Sequence, residues 1–336
     1  MTGKRLKVAA VQASPVFLDK AATTRKVCQL ILEAGTNGAD VVGFPETFIP
    51  GYPGWLGLLP LSTEPAPSLF CRLFNEAVEV PGPETEAIGK ACKEAGIYAV
   101  VGINERRPNT TGTLWNTNLF FARDGTLVHK HQKYMPTSGE RLVHAPGETG
   151  SKTSIPTDFG CLSSLICGEN GNPLAQYSVS LDYPVVHVAS WPPHFCPGQN
   201  VEDAAETNLR GLASSLGCYV ISSVATLDDA AIEAYGVDDE IRTYLREQQK
   251  KRRATILGPG GPVPGISPSK DEDLIFATVD VDELVKYKYV LVSLSFSLRL
   301  ALVACVLTLN QDYAGHYNRP EIFAHHFEKY LGGSRS

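Results

Sequence analysis

The chain is predicted to be an α/β protein with a mixed sheet, and two observations carry that prediction. Short apolar runs alternate with helical stretches along most of the chain, the pattern of helices laid over strands. Between residues 97 and 131, however, strand-like runs follow one another through an Asp124-Gly125 turn, so part of the sheet must be antiparallel. No internal repeat or low-complexity linker divides the 336 residues, which therefore read as one domain, 1–336.

Leu6-Lys7-Val8-Ala9-Ala10-Val11-Gln12 reads as the first strand. Asp19 caps a helical run through Val27, Leu30, Ile31 and Ala34 that ends at Gly35. Asp40-Val41-Val42-Gly43-Phe44 is a second strand, apolar enough for burial on both faces, and Pro45-Glu46-Thr47 ends it. The Gly/Pro-rich stretch from Pro50 to Trp55 reads as a binding loop, with Trp55 packed on the substrate side. Helices follow over residues 69–78 and 85–95, the second stopped by Gly96. Strands over 98–102 and 115–121 lead through the Arg123-Asp124-Gly125-Thr126 hairpin into 127–129. A loop rich in ionisable groups comes next, holding His129, Lys130, His131, Lys133, Glu140, Arg141 and His144. Residues 161–166 form a buried strand that Gly168-Glu169-Asn170 stops, and a helix begins at Pro173. A strand over 183–189 leads into Ser190-Trp191-Pro192-Pro193. An amphipathic helix over 202–216 and a strand over 218–223 complete the pattern.

A net charge of −6 argues against nucleic acid or an anionic membrane as partner, and Lys250-Lys251-Arg252-Arg253 reads as a solvated surface run. The amino terminus runs into a strand without the apolar segment of a signal peptide. Eight scattered cysteines, with no CxxC pair and no zinc-type spacing, suggest a reducing compartment, the cytosol by default.

Chemistry concentrates where strands end. Cys167 sits at the carboxyl end of a strand, where α/β proteins present reactive groups. Gly168 lets the next backbone N–H approach a substrate as an oxyanion donor would. A free cysteine is more often a buried structural residue, so the case needs partners. A thiol of ordinary pKa, about 8.5, requires a base or a cation nearby. Glu46 can take its proton, and Lys133 can stabilise both a thiolate and an anionic tetrahedral species. Singly, Glu46 and Lys133 would read as solvated surface charges.

Five motifs stand in register: Phe44-Pro45-Glu46 with Gly51-Tyr52-Pro53, His131-Gln132-Lys133-Tyr134-Met135-Pro136-Thr137, Gly139-Glu140-Arg141, Cys167-Gly168-Glu169-Asn170, and His316-Tyr317-Asn318-Arg319-Pro320. Together they make the chain resemble the nitrilase branch of the carbon–nitrogen hydrolase superfamily, of a fungal type. The resemblance implies a four-layer α-β-β-α sandwich with mixed sheets, homodimers that associate further, and no metal or organic cofactor. It implies Cys167 as nucleophile, Glu46 as general base, Lys133 as stabiliser of the tetrahedral species and Glu140 as the glutamate that orients the lysine. His131, Glu169 and Asn170 would support them, while Tyr52, Trp55, Gly168 and Trp191 would line the pocket for a small nitrile. Where many relatives carry Trp after the cysteine this chain has Gly168, which should enlarge the pocket beside the sulfur. The implied reaction is hydrolysis of an organic nitrile to acid and ammonia. A cyanide hydratase or an amidase would use the same site, and a membrane-attached scaffold member of the fold is the non-enzyme alternative.

One segment breaks the pattern. Residues 290–309 are the most hydrophobic run and nearly long enough to span a membrane, but Arg299 at their centre would cost roughly 2.5–3.5 kcal/mol on insertion scales. Removing residues 292–311 joins Tyr289-Val290-Leu291 directly to Asp312-Tyr313-Ala314-Gly315-His316, as the family pattern runs. Val292-Ser293 can be encoded as GTAAGT and Gln311 as CAG, the usual borders of an intron. Residues 292–311 therefore read as a retained intron of the short fungal kind. Sequencing the spliced transcript checks this: the mature message should lack these codons.

Overall fold

The computed structural model describes residues 3–265 and 274–296. Its elements in order are β1 (Arg5–Val11), α1 (Lys20–Thr36), β2 (Val41–Gly43), α2 (Ala66–Asn75), α3 (Pro83–Ala95), β3 (Tyr98–Arg106), β4 (Leu114–Phe121) and β5 (Leu127–Gln132). After these come β6 (Ser154–Thr157), β7 (Gly160–Ile166), α4 (Pro173–Ser180), β8 (Pro184–Trp191), α5 (Val201–Leu216) and β9 (Tyr219–Val224). The last are α6 (Asp229–Tyr235), α7 (Asp239–Gln249), β10 (Thr255–Gly258), β11 (Gly261–Pro262), β12 (Leu274–Asp280) and α8 (Val281–Phe296). Short 3-10 turns occupy Gly54–Gly57, Ser138–Leu142 and Cys167–Gly171. Residues 297–311 of the suspected insert, and the motif His316-Tyr317-Asn318-Arg319-Pro320, lie outside the described residues.

The strands form two six-stranded sheets, ordered β12-β1-β2-β3-β4-β5 and β11-β10-β9-β8-β7-β6. Each is mixed: β1, β2 and β3 run parallel, as do β7, β8 and β9, and antiparallel strands flank both sets. Successive strand residues point to opposite faces, and that alternation sorts the apolar residues into layers. Val8, Ala10, Val41 and Val100 of the first sheet meet Leu162, Val188 and Ile221 of the second in the core between the sheets. Their neighbours Ala9, Val11, Val42 and Val101 face outward, under Val27 and Ile31 of α1 and Ile88 of α3. On the other side Leu165, Ala189 and Val220 pack beneath Val179 of α4 and Leu209 and Leu212 of α5. The result is the four-layer α-β-β-α sandwich with mixed sheets.

Hydrogen bonds also join the sheets. Ser190 Oγ donates to Phe44 O at 2.9 Å and Ser223 Oγ to Gly43 O at 2.7 Å. Asn118 Nδ2 donates to Ser164 Oγ at 2.8 Å and to Ser190 Oγ at 3.1 Å. A side chain at position 43 would collide with Val188, its Cβ standing 2.7 Å from the valine Cγ1, so glycine there lets the sheets close.

Helix α1 is capped by Asp19, which accepts from Ala22 N at 2.8 Å, and α3 ends at Gly96 in the left-handed region, φ +67°. Three readings need correction. Residues 129–132 continue β5 instead of forming a loop, because Asn118 pairs with His131 and Thr117 with Gln132 across β4. Strand β8 runs on through Trp191 alongside β9. Arg253 is not solvated: it is buried and donates to Pro193 O at 3.2 Å and to Gln248 Oε1.

Gly102 on β3 sits under the chain crossing from β2. A Cβ there would stand 2.1 Å from Pro45 O and 2.8 Å from Thr47 N, with backbone on both counts and little freedom to yield. Gly102→Ala should therefore lose about 1–3 kcal/mol of stability, seen as a lowered Tm. Gly112→Ala, with open space around it, should leave Tm nearly unchanged.

Candidate active site

The site gathers at the carboxyl ends of β2, β5 and β7. From β2 the chain passes through Phe44 and Pro45 over Gly102 and delivers Glu46, which is 1% exposed. Lys133 follows β5; its backbone N–H donates to Asn116 O at 2.8 Å, and its side chain is 1% exposed. Cys167 begins the turn that closes β7 with φ +51°, a conformation uncommon outside glycine and costly enough to need support. Asn170 supplies it, donating Nδ2 to Cys167 O at 3.0 Å and to Leu165 O at 3.2 Å. Glu169 ties that turn to the lysine segment, accepting from Ile166 N at 2.9 Å and from Tyr134 N at 2.6 Å. His131 Nε2 lies 2.9 Å from Glu169 Oε2 and must donate to the carboxylate.

Lys133 Nζ lies 2.8 Å from Glu46 Oε1 and 2.6 Å from Glu140 Oε2. Asn116 Nδ2 donates to both glutamates, at 2.6 Å to Glu46 Oε1 and 2.7 Å to Glu140 Oε1. The two carboxylates are nevertheless unlike. Glu140 also accepts from Thr137 N at 3.1 Å, and His144 Nδ1 lies 3.1 Å from its Oε1, so both its oxygens are occupied. Among the described residues, Glu46 Oε2 is buried and meets no hydrogen-bond partner.

Electrostatics follow from that difference. Burial raises the Glu46 carboxyl to about 7, only partly opposed by Lys133. Burial pushes Glu140 up as well, but Lys133, His144 and Asn116 outweigh it and hold that carboxyl well below its usual range. Burial acts against the Lys133 charge, and the two glutamates more than restore it. The Cys167 thiol is held well above its usual value by burial and then by Glu46, with Lys133 opposing. At rest the thiol therefore keeps its proton.

A cavity of about 360 Å³ opens onto Cys167 and Glu140, while Glu46 and Lys133 are not among its lining residues. Its walls include Cys167, Gly168, Glu140, Tyr52 and Trp191, with Thr137, Leu56, Phe195 and Asn208. Glu46 instead borders a pocket of about 10 Å³, which Tyr52 also lines. Three of the four expected pocket residues, Tyr52, Gly168 and Trp191, thus line the larger cavity. Trp55 does not: it is 1% exposed and packs edge-on against Phe17, ring centroids 6.3 Å apart, and beside Tyr235. Its neighbours are core residues of the loop layer, so it belongs to the core. Beside Gly168 the space is partly taken, since a Cβ there would lie 3.2 Å from Thr137 Oγ1.

Asn116, Asn104 and His144 were not anticipated as parts of the site. The signal for Asn116 was its place in Trp115-Asn116-Thr117-Asn118-Leu119, amides inside an apolar strand, which burial permits only with partners.

A family model described as carbon-nitrogen hydrolase matches residues 7–289. "Nitrilase 3" from an unknown prokaryotic organism is 31% identical over 321 residues, covering 96% of this chain and 89% of its own. An arylacetonitrilase from Hypocrea virens is 29% identical over 330 residues, covering 96% and 91%. Among solved structures, Nit3 of Saccharomyces cerevisiae, a member of branch 10 of the nitrilase superfamily, matches the fold with a TM-score of 0.63. It is 19% identical, and the match covers 86% of this chain and 97% of that one.

Proposed function

The chain belongs to the carbon-nitrogen hydrolase family, and from that premise we propose that it is a nitrilase converting an organic nitrile to a carboxylic acid and ammonia. The observation that carries this reading is the unequal pair of glutamates about Lys133, beside a cavity that holds Cys167. Its volume lies within the range of small-molecule sites, roughly 300–1,000 Å³, and far exceeds what cyanide alone would fill. Curated relatives named for nitriles support the same reading.

In this mechanism Cys167 Sγ adds to the nitrile carbon as its proton passes to Glu46 Oε2. The nitrile nitrogen gains that proton, giving a thioimidate, while Lys133 stabilises the negative charge that develops on it. Glu46 then takes a proton from water as the water adds to the same carbon. Glu46 returns that proton to nitrogen, and the added hydroxyl gives up its own to it as the carbonyl forms. The carbon–nitrogen bond breaks and ammonia leaves, so that a thioester remains and Glu46 is free again. A second water, activated in the same way, breaks the carbon–sulfur bond, releases the acid and returns the proton to sulfur. Glu140, with both oxygens engaged, holds Lys133 in place. The reading extends to homodimers that associate further, to the cytosol as working compartment, and to residues 292–311 as foreign to the domain. The family match stops at residue 289, just short of that segment.

A panel of aliphatic, arylacetic and aromatic nitriles, assayed for ammonia and for acid against amide, tests the proposal. Ammonia with acid is the expected outcome; retained amide would indicate hydratase behaviour, and consumption of amides an amidase. Cys167→Ala should abolish turnover while Cys161→Ala leaves most of it. The reverse result would sink the assignment. Because Glu46 must be unprotonated to act, kcat/KM should fall about tenfold per pH unit below about 7. An acid limb near the ordinary glutamate value, about 4.3, would contradict Glu46 as the base.

A further inference from the structure

His144 takes no part in the mechanism above, yet it is 3% exposed and its ring is engaged at both nitrogens. Nε2 lies 2.8 Å from Asn104 Oδ1, and Nδ1 lies 3.1 Å from Glu140 Oε1. The Asn104 amide can face only one way. Its Nδ2 is 2.9 Å from Gly51 O, with Ile49 O and Thr47 O at 3.4 and 3.5 Å, and all three are acceptors. Oδ1 therefore faces the ring, and Nε2 must donate to it. Glu140 is likewise surrounded by donors, namely Lys133 Nζ, Asn116 Nδ2 and Thr137 N. Its Oε1 can only accept, so Nδ1 must donate as well. A ring that donates at both nitrogens is an imidazolium.

We propose that His144 is held as an imidazolium and acts as a positioning residue, balancing Glu140 so that Glu46 stays free to receive the thiol proton. The ionisable groups of this cluster are Glu140 on the adjoining turn, Lys133 after β5, Glu46 after β2, Cys167 and Tyr52. With His144 charged, two cations face two carboxylates. Without it, Lys133 alone faces both, and the buried excess negative charge draws in a proton. Glu46 Oε2, which has no partner among the described residues, is where that proton goes. The base is then occupied before the thiol can use it. Asn104 thereby links the backbone that carries Tyr52, through the ring, to the glutamate that orients Lys133.

The decisive measurement is nitrogen-15 NMR of the full chain with labelled histidine, at about pH 7.5, where an ordinary imidazole is mostly neutral. One ring with protons on both nitrogens is expected, absent from His144→Phe. Neutral rings throughout, or the same signal surviving in the variant, would overturn the proposal. If His144→Phe does not fold, His144→Gln assigns the signal instead.

Kinetics separate this role from a merely structural one. The acid limb of kcat/KM should move up by about one pH unit or more in the variant. Activity should then fall about tenfold near neutral pH and recover in alkaline buffer, with KM changed less than about threefold. A uniform loss with the limb in place would mean that the ring only fills space. The kinetic arm rests on the nitrilase reading, whereas the NMR arm needs no substrate. A nitrile panel without turnover would therefore refute that reading and leave the imidazolium to be judged on its own.

Discussion

A primary ammonium with almost no water around it governs this molecule. Lys133 is 1% exposed, and isolating such a charge would cost several kcal/mol, about as much as a domain's whole net stability, unless carboxylates stand beside it. Glu46 and Glu140 do so at 2.8 and 2.6 Å, and they arrive from different parts of the chain. The ion cluster can form only when β2, β5 and the turn after Thr137 have reached their places, so its chemistry and the completion of the fold are one condition. The lysine also explains why the glutamates differ. Donors crowd around Glu140 and, among the described residues, leave one oxygen of Glu46 without a partner.

Much of this arrangement was legible in the linear sequence, for a physical reason. Glu46 and Cys167 lie at strand ends, where an apolar run gives way to Pro or Gly, and such transitions can be read without knowing what the strand pairs with. Lys133 follows the polar end of β5 and stands out only through the motif around it. The layered α/β fold was legible on the same ground. Groups that depend on distant partners were not. Asn116 looks like an interruption in an apolar strand until residues 46 and 140 are brought to it, and His144 needs Asn104, forty positions away. Strand β12 was missed too, since its place beside β1 joins the two ends of the described chain.

Two errors share a cause. Trp55 in a Gly/Pro-rich loop and Arg253 in a basic run both look exposed from their neighbours in sequence. Trp55 is enclosed by Phe17 and Tyr235, and Arg253 finds Pro193 O and Gln248. Local composition measures the average environment of a segment, but burial is decided residue by residue.

The hydroxyls between the sheets have a consequence of their own. Glu46 and Lys133 follow strands of one sheet and Cys167 a strand of the other, so the distance between the carboxylate–lysine group and the thiol is set by how the two slabs lie against each other. Apolar contact alone resists separation but tolerates sliding. The directional bonds from Ser190 and Ser223 to the backbone at Phe44 and Gly43 fasten the slabs immediately before Glu46 emerges. They work like dowels in a two-part mould, turning the alignment of these three side chains into a property of the whole sandwich.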